Sequence, residues 1–297
     1  MECNNIFFPV PHFRLEEYTN NDSDVIFIPK PNEPNSYIPC LLFLHKLRNK
    51  DALTDQFLIY FHGNAEDIFA CKWLGKRLNR LLELNVLIVE FPKYSIYIDE
   101  PDSNKFLSDS TIVFDYVVSK FKTLPNNIYI MGRSIGTVPA IYLASQRKAG
   151  CLISVSAFTS LRDVVGDWVG RIMKLIVFDK YRSIDYISGV TCAVLFIHGQ
   201  KDALVSYEHS IRLKDKCCCP YEVHLPEDMT HSFNNFDNEV LTPIKMFLMK
   251  HTVYNKNNGV IPTIPNDLYN VPDKFLYRNL RTVFKGVSLF CFGAENT

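Results

Sequence analysis

The sequence predicts an α/β protein built on a doubly wound, mostly parallel sheet, led in by antiparallel N-terminal strands. Three observations predict it. Short β-rich runs alternate with longer helical patterns from residue 57 to residue 250, the pattern of parallel strands joined by helical crossovers. The runs are near-continuous apolar strings rather than alternating ones, as strands covered on both faces require. The 297 residues are 47% hydrophobic and 22% charged, an ordinary globular composition long enough to bury a large core in one domain.

Residues 25–28 and 40–46 read as the antiparallel lead-in, separated by the Pro- and Asn-rich turn 29–39. Strands follow at 57–61, 86–91, 128–131, 152–155, 193–197 and 221–225, with helical patterns between or after them at 68–84, 108–121, 135–147, 207–216 and 236–250. Segment 161–188 interrupts the alternation with Trp168, Ile172, Met173, Leu175 and Ile176 at helical spacing. It reads either as a small cap over the carboxyl ends of the strands or as a plain crossover helix. The domain itself is expected to span 1–250.

Beyond it, 251–266 is rich in Asn and Pro and reads as a linker, the first part of a 251–297 tail. Within 274–292, Leu276, Leu280, Val283, Phe284 and Val287 share one helical face, while Lys274, Arg278, Arg281 and Lys285 share another. A basic amphipathic helix of this kind docks on its own domain or lies on a membrane surface.

Charge and cysteine usage exclude other classes. Lys+Arg and Asp+Glu are both 32, so the formal net charge is zero, and nucleic acid is not expected as a partner because phosphate binding needs a positive surplus. The nine cysteines are odd in number and match no disulfide framework or zinc spacing. Cys217-Cys218-Cys219 reads as a thiol cluster, and Cys3 and Cys291 lie near the termini, where acylation is conceivable. No metal or organic cofactor is called for. The start, Met1-Glu2-Cys3-Asn4-Asn5, lacks the basic-then-apolar layout of a signal peptide. No apolar run approaches the ~18 residues that span a bilayer. A cytoplasmic protein, soluble or peripheral on a membrane, is expected.

Chemistry enters at Gly132-Arg133-Ser134-Ile135-Gly136, directly after the apolar run 127–131. A serine between two glycines at a strand-to-helix turn is held on a strained bend with its hydroxyl exposed at the carboxyl end of the sheet. Such a nucleophile needs a base and an acid, following in the order Ser, Asp, His. After strand 193–197 comes His198-Gly199-Gln200-Lys201-Asp202, and after strand 221–225 comes Met229-Thr230-His231-Ser232-Phe233. Asp202 and His231 are therefore the candidates, with Asp228 a rival acid. Asp202 also has a bland reading, as a cap for the helix beginning near Ser206. His62 and His198, each before a glycine, read as loop braces, while His209 lies in a helix and His224 in a strand. An oxyanion hole needs two amides. One falls on Ile135 and the other on Asn64 or Ala65 of the loop Phe61-His62-Gly63-Asn64-Ala65, where Gly63 allows close approach.

With these residues in place, the chain resembles the α/β-hydrolase domain-containing family 17. The resemblance rests on His62-Gly63-Asn64-Ala65, on Gly132-Arg133-Ser134-Ile135-Gly136-Thr137-Val138-Pro139, on Ser183-Ile184-Asp185 with Ile187-Ser188, and on Val194-Leu195-Phe196-Ile197-His198-Gly199 with Asp202. It implies an α/β-hydrolase fold and a membrane-associated serine hydrolase that removes palmitate from protein cysteines. Its triad would fall on Ser134, Asp202 and His231. S-acylated protein or another acyl ester is then the expected substrate. Carboxylesterase or lysophospholipase activity on small molecules, and a non-catalytic scaffold, are the competing readings. Two features depart from the family. Only Cys3 stands where the family carries an N-terminal cysteine cluster, and Lys93-Tyr94-Ser95 replaces Gly-Tyr-Gly. The basic tail is expected to serve as the substitute anchor.

Overall fold

The computed structural model describes residues 24–47, 52–97, 99, 103–170, 180–254, 259–261, 264 and 266–272. Eight strands form one sheet in the order β1-β2-β5-β4-β6-β7-β8-β9. They are β1 (Val25–Pro29), β2 (Tyr37–Phe43), β4 (Phe57–Phe61), β5 (Asn85–Val89), β6 (Ile128–Arg133), β7 (Cys151–Val155), β8 (Ala193–Ile197) and β9 (Tyr221–His224). The first two and the β2–β5 pair are antiparallel, and every later pairing is parallel. The predicted fold class is borne out. The strands 57–61, 85–89 and 151–155 are buried at every position, so their apolar runs reflect cover on both faces.

That cover comes from two helical layers. On one face lie α1 (Lys72–Leu82) and α7 (Thr242–His251), which share a core with Leu58, Tyr60, Ile88 and Met131. On the other lie α2 (Ser103–Lys120), α3 (Thr137–Gln146) and α6 (Glu208–Asp215), packed with Ile59, Ile130 and Phe196. The amphipathic spacing is visible in α1, which buries Leu74, Leu78 and Leu82, one apolar stripe three to four residues apart.

Chain order reverses direction across β4. The chain passes from β4 to β5 on one side and returns to β6 on the other. Open sheets place ligands at such a switch point, outside the carboxyl ends of the strands. The loops after β4 and β6 carry Gly63-Asn64-Ala65 and Ser134, so the topology puts both at that crevice.

Several expectations shift. The helix expected over 68–84 begins only at Lys72, because Asp67 holds the preceding turn, accepting the Ala70 amide on Oδ1 at 2.7 Å. The helix expected over 236–250 opens as a π turn, Asp237–Leu241, before α7. Pro243 sits in the first turn of α7, where its missing N–H costs nothing. Within the interrupted segment, α4 (Leu161–Val169) reaches over the loop after β8, with the Trp168 indole donating to the Leu204 carbonyl at 2.8 Å. A four-residue helix, α5 (Ser183–Tyr186), follows.

In its described part, the stretch expected as a linker over 251–266 touches the domain. β10 (Val260–Ile261) pairs antiparallel with β3 (Leu53–Thr54). The Tyr254 hydroxyl donates to the Leu82 carbonyl at 3.0 Å, and Ile261, Ile264 and Leu268 are buried. These anchors follow neither a helical nor a strand period, so pattern reading passes over them. Cys3, Cys291 and the amphipathic segment 274–292 lie outside the described residues. Among the described residues no helix is long and apolar enough to cross a membrane.

Candidate active site

The candidate nucleophile turn is built by β6 running into a 3₁₀ turn, Ser134–Gly136, and then α3. Ser134 has φ 52°, the left-handed region that a side chain enters only at a cost of about 1–3 kcal/mol. The turn is secured by the Thr137 hydroxyl, which donates to the Ser134 carbonyl at 2.6 Å. Gly136 explains the second glycine. A Cβ there would lie 2.2 Å from the Phe61 carbonyl oxygen and 2.4 Å from that of His62. The nucleophile turn thus rests directly on the loop after β4.

Gly136→Ala is accordingly expected to lower stability by about 1–3 kcal/mol through overpacking against rigid backbone. It should also cut turnover by about 10²-fold by pushing the two loops apart. Urea unfolding and initial rates check both. A wild-type rate with unchanged stability would show that the contact yields freely.

Three side chains meet at the carboxyl edge. Ser134 Oγ lies 3.1 Å from His231 Nε2, and His231 Nδ1 lies 2.8 Å from Asp202 Oδ2. Nδ1 therefore carries the proton given to Asp202, and Nε2 faces the hydroxyl as an acceptor. Asp202 is fully enclosed. Its Oδ1 accepts the Leu204 amide at 2.9 Å and the Val205 amide at 2.8 Å, and its Oδ2 is also 3.2 Å from His198 Nε2. Burial pushes this carboxyl up, but the hydrogen bonds from His198 and His231 outweigh it and hold it well below the usual carboxylate range. The rival Asp228 points into solvent and pairs with Lys201 at 2.5 Å. The loops holding Asp202 and His231 are zipped together. The Lys201 amide donates to the Met229 carbonyl at 3.1 Å, and a Cβ on Gly199 would lie 2.0 Å from that same oxygen.

The two histidines that precede glycines are buried braces. His198 Nδ1 accepts from the Ser210 hydroxyl at 2.7 Å while Nε2–H donates to the Val205 carbonyl at 2.9 Å. His62 donates from Nδ1 to the Gly63 carbonyl at 2.9 Å and from Nε2 to Glu90 Oε1 at 3.0 Å. Burial opposes its charge, yet the bond to Glu90 prevails and raises its pKa. Glu90 also accepts the Ile68 and Phe91 amides. The loop Gly63-Asn64-Ala65 is thus propped from beneath by a buried ion pair.

Above it, the Tyr94 hydroxyl donates to Asn64 Oδ1 at 2.9 Å, and Ala65 takes φ 57°. Tyr94 belongs to the departing Lys93-Tyr94-Ser95 stretch, so that stretch reaches the candidate oxyanion loop. Sequence reasoning gave no role to Glu90, Glu66 or Arg133. Glu90 alone left a signal, a charge inside an otherwise apolar run. At the thiol cluster, Cys217 and Cys219 bring their Sγ atoms to 3.3 Å, and Cys218 is exposed.

The chain is similar to known proteins. The chain is 27% identical to alpha/beta hydrolase domain-containing protein 17B of Homo sapiens over 197 residues, 66% of this chain and 67% of the relative. It is 30% identical to alpha/beta hydrolase domain-containing protein 17C of Xenopus laevis over 196 residues, 64% of this chain and 60% of the relative. The chain therefore spans some 60–67% of the length of these curated relatives. Among solved structures, Est1E from Butyrivibrio proteoclasticus superposes with TM-score 0.59 at 17% identity, covering 76% of this chain and 98% of that one. A Pyrococcus furiosus esterase does so with TM-score 0.61 at 15% identity, covering 82% and 98%. At that identity the likeness concerns the fold. The sequence profile of the prolyl oligopeptidase family matches residues 98–252, more than half of the chain and the stretch that holds Ser134, Asp202 and His231. By that match, on an α/β-hydrolase fold, the chain belongs to the prolyl oligopeptidase family.

Proposed function

We propose that the protein is a serine hydrolase of acyl esters and thioesters, acting on long-chain acyl groups carried by protein cysteines. The observation that carries the hydrolase reading is the unbroken chain from Asp202 through His231 to Ser134, at 2.8 and 3.1 Å. The long-chain, protein-bound substrate is what the resemblance to family 17 implies, and the similarity to the relatives named 17B and 17C supports that resemblance alone.

In this mechanism Ser134 Oγ attacks the acyl carbonyl carbon while His231 Nε2 takes the hydroxyl proton. Asp202 holds the imidazole tautomer and stabilises the imidazolium. The carbonyl oxygen becomes an oxyanion and is met by the Ile135 amide and an amide of the Asn64-Ala65 turn. Each such donor contributes about 3 kcal/mol of transition-state stabilisation. Collapse of the intermediate breaks the acyl–sulfur bond, and the departing thiolate takes the proton from His231. Water, deprotonated by His231, then attacks the acyl-serine, releasing the fatty acid and restoring the hydroxyl.

The test has two arms. The wild-type protein should take up one equivalent of a fluorophosphonate, read by intact mass, and should hydrolyse a palmitoyl thioester faster than a butyryl one. Labelling with strong preference for the short chain would favour a small-molecule carboxylesterase. No labelling of folded protein would favour a scaffold and refute the hydrolase reading.

A further inference from the structure

Arg133, the residue between Gly132 and Ser134, is not used by the mechanism above, and its contacts are unusual for a strand end. Its side chain is only 10% exposed. Nη1 donates to Glu66 Oε1 at 2.6 Å, and Nη2 donates to the His231 carbonyl at 3.0 Å. The guanidinium carbon stands 5.0 Å from the centroid of the Phe233 ring, within cation–π range. The other carboxylate oxygen of Glu66 accepts the Gly63 amide at 2.8 Å. One planar cation therefore touches the loop after β4 and the loop after β9, and it springs from the residue preceding the nucleophile.

Stability alone accounts poorly for this arrangement. Arg133 Nε is buried with no hydrogen-bond partner, a donor left unmet at real cost. Local rules tend to be broken where function needs the residue. A guanidinium offers donors in a rigid fork, so it can fix two acceptors at a set separation. An ammonium is a single point and cannot do so.

We propose that Arg133 is a positioning residue for hydrolysis, clamping the oxyanion loop through Glu66 and the base loop through the His231 carbonyl against the nucleophile turn. The proposal rests on the serine-hydrolase reading. It predicts coupling between Arg133 and Glu66, residues that no sequence period connects.

The experiment uses the full-length protein with p-nitrophenyl butyrate, a substrate too small to depend on distant binding. Wild type, Arg133→Met, Arg133→Lys, Glu66→Gln and the Arg133→Met/Glu66→Gln double variant are compared. The readouts are kcat, KM, the fluorophosphonate inactivation rate and the melting temperature. Arg133→Met should lower kcat by about 10²-fold, the scale of a small misplacement of reacting groups. KM should stay within about threefold, and inactivation by fluorophosphonate should slow in proportion. Arg133→Lys should recover part of the loss, since one contact survives. The double variant should be no worse than Arg133→Met alone, because the loss from Glu66→Gln passes through the Arg133–Glu66 contact that Arg133→Met already removes.

If Arg133→Met does not fold, Arg133→Lys and Glu66→Gln carry the same test. A kcat and inactivation rate near wild type in any folded variant of Arg133 would overturn the clamp. So would losses that add fully in the double variant, or a loss that tracks the unfolded fraction. Failure of the hydrolase reading looks different, since wild-type protein would then not react with fluorophosphonate at all.

Discussion

Ser134→Ala is expected to reduce acyl-ester turnover by about 10⁴- to 10⁶-fold, the range seen when a triad nucleophile is removed from a serine hydrolase. Its stability should stay within about 0.5 kcal/mol of wild type. The two expectations come from one geometry. The hydroxyl is held to the imidazole at 3.1 Å and contributes little to the packed core. The φ of 52° is as strained for alanine as for serine, so the substitution neither relieves nor adds backbone cost. Parallel measurement of kcat/KM and urea unfolding separates the effects. A residual rate near wild type on correctly folded protein would mean that the nucleophile lies elsewhere.

Asp202→Asn should come next in size, with kcat reduced by about 10⁴-fold, because an amide in place of the acceptor favours the wrong imidazole tautomer. Asp228→Asn is the control, since Asp228 faces solvent and pairs with Lys201. It should leave the rate unchanged. Asp202 is also a stability element. It accepts hydrogen bonds from the Leu204 and Val205 amides and from His231, and bonds to a charged group contribute roughly 1.5–3 kcal/mol.

The pH dependence follows from its lowered pKa. A carboxyl depressed in the folded state stabilises the fold fully above the unfolded value of about 3.9 and loses that contribution as pH falls through the folded value. The stability gap between wild type and Asp202→Asn should therefore narrow as the pH is lowered from about 5 to below about 4. Unfolding curves across that range read it directly. A gap that widened on acidification would contradict a depressed carboxyl.

Much of this was legible in the chain because it is local. Apolar runs such as Phe57–Phe61 and Ala193–Ile197 mark strands buried on both faces, since a residue's own hydrophobicity and its neighbours' period decide that. The turn at Gly132-Arg133-Ser134-Ile135-Gly136 is legible for the same reason. The order of Ser134, Asp202 and His231 along the chain, each just past a strand, was enough to nominate all three.

What the sequence left open lies between elements. On paper Asp202 is favoured as the acid because it follows its own strand, with Asp228 a rival beside His231. The turn that buries one at His231 and leaves the other against Lys201 decides between them. The ion pair of His62 with Glu90, and the bridge from Arg133 to Glu66 and His231, join residues 28, 67 and 98 positions apart. The pairing of β10 with β3 likewise draws an Asn- and Pro-rich stretch back onto the domain. By itself, then, the sequence determined the sheet, the strand-to-helix turn around Ser134 and the candidates for its partners, because periodicity and turn chemistry act over a few residues. The tertiary structure alone decided which loops meet at the carboxyl edge and what braces them, because those contacts depend on strand order, which local pattern does not encode.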